Sequence, residues 1–151
     1  MDYTSLFGDY GLKRKNINDN NMIIGIDFDG TCVTHDYPRI GKEIGATKVL
    51  KQLIESGHKL ILNTMRSGKE LQDAIDWFKE NNIELYGVNE NPTQKNWTNS
   101  PKVYAHLYID DANLGCPLKM DLNLSNRLFV DWEVVSFLLK DNLNHMKDIT
   151  S

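Results

Sequence analysis

The chain has 151 residues, of which 40% are hydrophobic and 25% charged, and its formal net charge is −4. These values are typical of one globular domain, and the acidic balance argues against a general nucleic-acid-binding surface. No apolar run is long enough to span a membrane, and the first residues lack the apolar core of a secretory signal. The two cysteines, Cys32 and Cys116, have no metal-ligand spacing, so we expect reduced thiols and a cytoplasmic protein.

In the first half of the chain, short apolar runs alternate with polar segments that contain turn residues. Residues 1–21 show neither a helical nor a strand period, which predicts a leader outside the core. Residues 22–26 form a short Ile-rich run that is typical of a buried strand in a parallel sheet. Residues 30–42 contain glycine and proline and predict a loop or flap. Residues 46–54 repeat apolar side chains with a helical period, and Gly57 is the expected stop.

A second strand and helix follow. Residues 58–63 are again a short apolar run, and Ser67 with Glu70 fits a capping box at the start of a helix. The apolar face predicted for this helix consists of Leu71, Ala74, Ile75 and Phe78.

Three further strands are predicted at residues 83–88, 105–109 and 127–130, with a polar loop at 89–102 between the first two. Asp131 can cap a final helix. The residues expected on the inner face of that helix are Val134, Val135, Leu138 and Leu139.

Strands that alternate with helices imply right-handed β-α-β units and a parallel sheet. We therefore predict an α/β fold, a three-layer α/β/α sandwich with a Rossmann-like parallel sheet of about five strands. The domain should span residues 22–145, between the leader and a tail at 146–151.

Polar groups suited to phosphate chemistry follow three of the predicted strands. In open parallel sheets, ligands bind outside the carboxyl ends of the strands, where these groups would meet. They are Asp27, Asp29, Gly30 and Thr31 after the first strand, Thr64 and Arg66 after the second, and Asp110 and Asp111 after the fourth.

Carboxylates gathered in one crevice repel one another unless a cation neutralises them. Mg²⁺ prefers oxygen ligands and would also offset repulsion between a phosphate and a carboxylate nucleophile. One aspartate can then attack phosphorus, while a second donates a proton to the leaving oxygen and later activates water. The sequence therefore indicates Mg²⁺-dependent phosphoryl transfer.

The segment IDFDGT, residues 26–31, matches the DxDGT signature and resembles the haloacid dehalogenase-like (HAD) hydrolase superfamily. Thr64 after a strand, a lysine before the last motif, and the acidic pair of YIDD at 108–111 follow in that superfamily's order. The resemblance covers about residues 22–140 and implies a HAD-like phosphatase. The second acid, Asp29, favours phosphate over carbon–halogen chemistry.

The resemblance also implies a role for each matching residue. Asp27 would be the nucleophile, Asp29 the general acid and base, and Thr64 a phosphate-binding hydroxyl. The charge-stabilising lysine would be Lys102, with Lys95 as the alternative. The metal ligands would be Asp27, the main-chain oxygen of Asp29, Asp110 and, directly or through water, Asp111.

Three other side chains near the motifs have two readings each. Arg66 could grip the substrate phosphate or pair with Glu70. His35 lies in the flap, where solvent exposure is favoured over a substrate contact. Cys32 adjoins the motif, but with Asp27 present and no histidine at a partner spacing it is read as a packing residue.

Members of the superfamily that the chain resembles often carry a lid domain, inserted after the first motif or after the third strand. Neither position has room for one here, because a helix and a strand nearly fill the chain between Asp29 and Thr64, and 88–102 is a short loop. A capless site suits a bulky phosphorylated substrate, including a nucleic-acid end, or a neighbouring subunit as lid; small substrates also fit. The function expected is a phosphate monoester hydrolase working through an aspartyl-phosphate. The alternatives are a non-catalytic phosphate- or Mg²⁺-binding module on the same fold and a phosphotransferase.

Overall fold

A computed structural model describes residues 22–142. The predicted leader, 1–21, and tail, 146–151, lie outside the described residues. None of the helices in the described part is long and apolar enough to cross a membrane.

The main sheet has four parallel strands. In chain order they are β1 (Ile23–Ile26), β2 (Lys59–Leu62), β3 (Gly87–Val88) and β4 (Leu107–Ile109), and their spatial order is β3-β2-β1-β4. The prediction of an α/β chain built on a parallel sheet is confirmed. The third and fourth strands are shorter than the predicted runs at 83–88 and 105–109.

The register of the sheet places the three strand ends level with one another. Ile26, the last residue of β1, lies beside Leu62 on one side and Ile109 on the other. The chain leaves β1 for β2 on one side and later returns to β4 on the other, so β1 is the point where the strand order reverses. Ligands of open α/β sheets bind at this point, outside the carboxyl ends.

Three helices accompany the sheet in the described part. They are α1 (Ala46–Glu55), α2 (Gly68–Glu80) and α3 (Trp132–Asn142). The α1 helix is followed by the C-cap residue Ser56, whose N–H bonds the carbonyl of Gln52, and by Gly57, the predicted stop, which has a φ of +93°. In α3 the expected inner face is only half right, because Val135 and Leu139 are buried whereas Val134 and Leu138 are 42% and 41% exposed.

The predicted capping box at the start of α2 is absent. Ser67 is the N-cap residue, as predicted, but its side chain makes no capping hydrogen bond. Glu70 instead offers its main-chain carbonyl to the guanidinium of Arg66. The turn is therefore fixed by a side chain that comes before the helix rather than by one within it.

The predicted fifth strand does not join the main sheet. β6 (Phe129–Val130) pairs antiparallel with β5 (Leu118–Lys119) in a separate two-stranded sheet. The N–H of Val130 also bonds the carbonyl of Gly30, at 3.0 Å. The apolar pair is thus used to cover the loop that follows β1, and β4 remains the last strand of the main sheet among residues 22–142.

The aspartate motif is anchored in the core by its middle residue, Phe28. Its ring is fully buried and lies 5.4 Å from Trp77 and 5.9 Å from Phe78 of α2, measured between ring centroids. Burying a phenylalanine stabilises a fold by about 1.5–3 kcal/mol. Burial of the Phe28 ring fixes the backbone between Asp27 and Asp29, and so fixes the positions from which these two side chains extend.

Candidate functional site

Three aspartates converge at the carboxyl edge of the sheet. Asp27 follows β1, while Asp110 and Asp111 follow β4, and the N–H of Asp27 bonds the carbonyl of Ile109 at 3.0 Å. One carboxylate oxygen from each aspartate lies within 4.8 Å of the others. Oxygen ligands at this separation could hold a divalent cation. We call these three residues the acidic cluster.

Thr31 braces the acidic cluster from inside the protein. Its hydroxyl donates to Oδ2 of Asp27 at 2.6 Å and accepts the N–H of Asp111 at 3.0 Å. Its carbonyl accepts the indole N–H of Trp132, at 2.6 Å. The side chain is fully buried. Thr31, one of the groups expected to serve phosphate chemistry, is therefore placed as a positioning residue that joins the two strand ends.

The electrostatics of the acidic cluster favour protons or a cation. Burial raises the pKa of Asp27 to about 7, with a further upward contribution from the charge of Asp110, and the hydrogen bond from Thr31 opposes part of this rise. Burial also raises the pKa of Asp110. Neither carboxylate has an ion pair with lysine or arginine within residues 22–142.

His35 was not recognised as a site residue from the sequence. Its Nε2 lies 2.9 Å from Oδ2 of Asp111, and its side chain is only 17% exposed, so the expected solvent exposure of His35 is wrong. Gly30 is what lets the ring approach, because a Cβ there would collide with His35 and with Asp111. Gly30 also has a φ of +78°, a conformation that favours glycine. No local sequence signal marks His35, since its position depends on how the flap closes.

Asp29 does not join the acidic cluster with its side chain. Both of its carboxylate oxygens accept hydrogen bonds from Arg66, at 2.8 Å from Nε and 2.7 Å from Nη2. The Arg66 side chain is 1% exposed and that of Asp29 is 20% exposed. Two-point pairing of this kind is among the strongest ionic hydrogen bonding in proteins.

Arg66 has no N–H left for a phosphate. Besides Asp29, its guanidinium donates to the carbonyls of Pro38 and Arg39 in the flap and of Glu70 in α2. A guanidinium has five N–H groups, and all five are engaged. The guanidinium that the sequence offered for a substrate phosphate is thus used in contacts within the protein, and it bonds the carbonyl of Glu70 rather than its carboxylate. Arg66 ties Asp29, the flap and α2 together.

Thr64 and Lys102 are not part of the acidic cluster. The Thr64 hydroxyl accepts the N–H of Arg66 at 3.1 Å, and its own hydrogen has no acceptor among the described residues. The Lys102 ammonium lies 5.7 Å from the centroid of the Tyr108 ring.

The loop that carries Lys102 is held by a buried glutamine. Gln94 donates to the carbonyls of Ser100 and Lys102 and accepts the N–H of Tyr104. Lys95, the alternative lysine, is exposed in the short 3-10 turn Gln94–Asn96 and makes no hydrogen bond or ion pair to the acidic cluster. Of the two lysines, Lys102 is the one whose main chain is held by Gln94 and whose ammonium lies over a side chain of β4, that of Tyr108.

Cys32 is placed as the sequence indicated. It is fully buried, and its thiol donates to the carbonyl of Asp27 at 3.3 Å. Burial raises the pKa of the thiol well above its ordinary value, so the group stays protonated and packs rather than reacts.

The fold and this geometry define an α/β protein with an acidic cluster at the switch point of a parallel sheet. Comparison with models of known protein families found no match. A search of curated proteins likewise found none. Among solved structures, a conserved protein from Bacteroides thetaiotaomicron is 37% identical over 80% of this chain and 91% of that one, with a TM-score of 0.65. The chain belongs to the same family as that conserved protein.

The Arg66–Asp29 pair should contribute strongly to stability. We expect Arg66→Met to lower the free energy of unfolding by about 3 kcal/mol or more, because it leaves a partly buried carboxylate and three carbonyls without their hydrogen-bond donor. Arg39→Met is the matched control, since Arg39 is 79% exposed and pairs with Asp36 at the surface. Its loss should leave the free energy of unfolding almost unchanged, because solvent screens a surface ion pair. Urea denaturation measures both, and equal losses would contradict the role given to Arg66.

Asp27 should make the metal-free protein less stable as the pH rises. The folded protein holds the Asp27 proton up to about pH 7, whereas the unfolded chain releases it near the ordinary value of 3.8. The folded state therefore binds more protons between these values, and the free energy of unfolding falls across that window by roughly 1 kcal/mol per pH unit. Denaturation curves for native protein and Asp27→Asn test this, and the slope should be smaller in the variant. Identical slopes would refute it.

Gly30 should tolerate no side chain. Gly30→Ala combines a positive φ with collisions against His35 and Asp111, and we expect a loss of about 2 kcal/mol or more. Gly68→Ala separates the two effects, because Gly68 also has a positive φ (+56°) but its Cβ would meet nothing within 4 Å. It should cost only about 1 kcal/mol. Thermal or urea unfolding of both variants decides whether crowding at the cluster, rather than backbone conformation alone, is the constraint.

Proposed function

We propose that the chain is a HAD-like, Mg²⁺-dependent phosphatase that hydrolyses a phosphate monoester through an aspartyl-phosphate on Asp27. The observation that carries the proposal is the meeting of Asp27, Asp110 and Asp111 at the strand-order switch point, each with an oxygen within 4.8 Å of the others. The DxDGT motif and Thr64 support it because they follow β1 and β2 at that edge of the sheet, and the lysine that the resemblance implies is Lys102. The short connections before α1 and after β3 fit a capless member.

The acidic cluster suits Mg²⁺ by its donor set, which is carboxylate oxygen only. Asp27, Asp110 and Asp111 would be the side-chain ligands, together with the main-chain oxygen of Asp29. When bound, the ion would supply the positive charge that keeps Asp27 ionised despite its burial and that offsets the charge of the phosphate.

The first chemical step is attack by the Asp27 carboxylate on phosphorus. The ester P–O bond breaks, and the leaving oxygen takes a proton from Asp29. Thr31 holds Asp27 in place through Oδ2, Thr64 has a hydroxyl hydrogen to donate to a phosphate oxygen, and Lys102 can balance the developing charge. In the second step water attacks phosphorus, its proton passes to Asp29, and phosphate leaves Asp27.

The ion pair with Arg66 bears on the two roles of Asp29 unequally. A carboxylate paired with a guanidinium is in the form that can accept a proton from water. To donate one, it must be protonated and release an oxygen from Arg66. We therefore expect substrates with good leaving groups to be hydrolysed fastest, because they need the least help from an acid in the first step.

The same ion pair is the observation that favours the second candidate, a non-catalytic Mg²⁺- or phosphate-binding module. In such a protein Asp29 would serve only to hold Arg66 and the flap. The two candidates differ in turnover. A phosphotransferase is distinguished by its products, since hydrolysis releases one free phosphate for each ester consumed.

The test is phosphate release from an aryl phosphate with Mg²⁺ and with a chelator. We expect Asp27→Asn to abolish release. Asp29→Asn should lower it by about 100-fold or more, with phosphorylated protein accumulating, because the second step loses its base. Glu84→Gln, an exposed carboxylate outside the site, is the charge control and should behave as the native protein.

Mg²⁺ binding is followed by calorimetry in the native protein and in Asp110→Asn. Release that survives in Asp27→Asn would rule out Asp27 as the nucleophile. Binding of Mg²⁺ without turnover of any ester would favour the non-catalytic module.

A further inference from the structure

An exposed aromatic ring lies against Arg66, the side chain that is paired with Asp29. Tyr37, in the flap, is 63% exposed, and its ring centroid is 5.2 Å from the central carbon of the Arg66 guanidinium. All the in-plane N–H groups of Arg66 are hydrogen-bonded, so only its faces remain for aromatic contacts. Phe28, on the core side, lies 5.0 Å from the same carbon. Arg66 thus holds the Tyr37 ring while most of that ring stays open to solvent.

Met65, which precedes Arg66 in the chain, is another large apolar side chain that is exposed to solvent. It lies between Thr64 and Arg66 and is 98% exposed. Leaving large apolar side chains in water forgoes the free energy of burying them. We call the exposed Tyr37 ring, which lies against the guanidinium that holds the proposed proton donor, the Tyr37 platform.

We propose that the Tyr37 platform is the leaving-group subsite and that the substrate is a small monophosphate ester whose leaving group carries a planar ring, such as a nucleoside monophosphate. The inference rests on the proposed function. Asp29 gives its proton to the leaving oxygen, so the leaving group must extend from phosphorus toward Asp29. Arg66 joins Asp29 directly to Tyr37, so that group next meets the exposed ring. Aromatic rings bind planar bases by stacking, with little dependence on base identity.

The charges around the platform favour a small ester over a polynucleotide. Arg39, next in the flap, is paired with Asp36, and Lys69 at the start of α2 is paired with Asp73. The whole chain has a net charge of −4. A polyanion needs several unpaired cations along its path, whereas a single phosphate needs only the site itself.

The experiment compares two substrates that differ only by the base. The ratio of kcat/KM for adenosine 5′-monophosphate to that for ribose 5-phosphate is measured with Mg²⁺. We expect a ratio of about ten or more for the native protein, which Tyr37→Phe preserves and Tyr37→Ala reduces about ten-fold. Phe137→Ala is the matched control, because Phe137 on α3 is also 63% exposed, and it should preserve the ratio.

The outcomes separate this inference from the proposed function. Loss of all turnover in Asp27→Asn, together with equal kcat/KM for the two esters, would leave the phosphatase standing and overturn the platform. A base preference that survives in Tyr37→Ala would overturn it as well. A 5′-phosphorylated oligonucleotide hydrolysed ten-fold more efficiently than the mononucleotide would overturn the assignment to a small ester. Failure to release phosphate from all three while an aryl phosphate is hydrolysed would overturn the platform, and failure with the aryl phosphate as well would reject the proposed function itself.

Discussion

The Arg66–Asp29 ion pair is the interaction on which the carboxyl edge of the sheet depends. One buried guanidinium bonds both oxygens of Asp29, two carbonyls of the flap and the first turn of α2. Each of these groups would otherwise need another partner, since an unsatisfied polar group away from water is costly. The position of the flap and the entry of α2 are therefore set by the same side chain that holds Asp29. A change at Arg66 alters all three together.

Thr31 provides the second connection, at the acidic cluster. Its hydroxyl joins Asp27 after β1 to Asp111 after β4, and its carbonyl receives Trp132 from the start of α3. The separation between the two strand ends is thus fixed by hydrogen bonds and by the sheet register together. Gly30 completes the arrangement, because the absence of a Cβ lets His35 reach Asp111.

The sequence predicted the parts of the site that follow from strand ends and failed where the outcome depends on long-range chain paths. Asp27 and Asp110 could be placed together because short apolar runs mark the strands, and a parallel sheet aligns their carboxyl ends. The partner of Arg66 could not, because Asp29 is 37 positions away and meets it only once the flap has folded back. The fifth strand was misassigned for a similar reason. Its two apolar residues suit any sheet, and the choice of β5 over β4 is a tertiary one.

The distribution of charge divides the four aspartates into two kinds. Asp29 has a buried guanidinium of its own, so its negative charge is balanced within the protein. The acidic cluster has no lysine or arginine ion pair within residues 22–142, and its contact with His35 reaches Asp111 alone. Carboxylates that share a partly buried site without a fixed cation must take up protons or an ion from solution. Without a bound ion this requirement is met by a proton, and the pKa of Asp27 accordingly rises to about 7. With the proposed Mg²⁺ bound, the charge of the ion would meet it instead. Because Arg66 is committed to Asp29, it cannot satisfy the cluster, and a function that needs a reactive Asp27 gains from that separation.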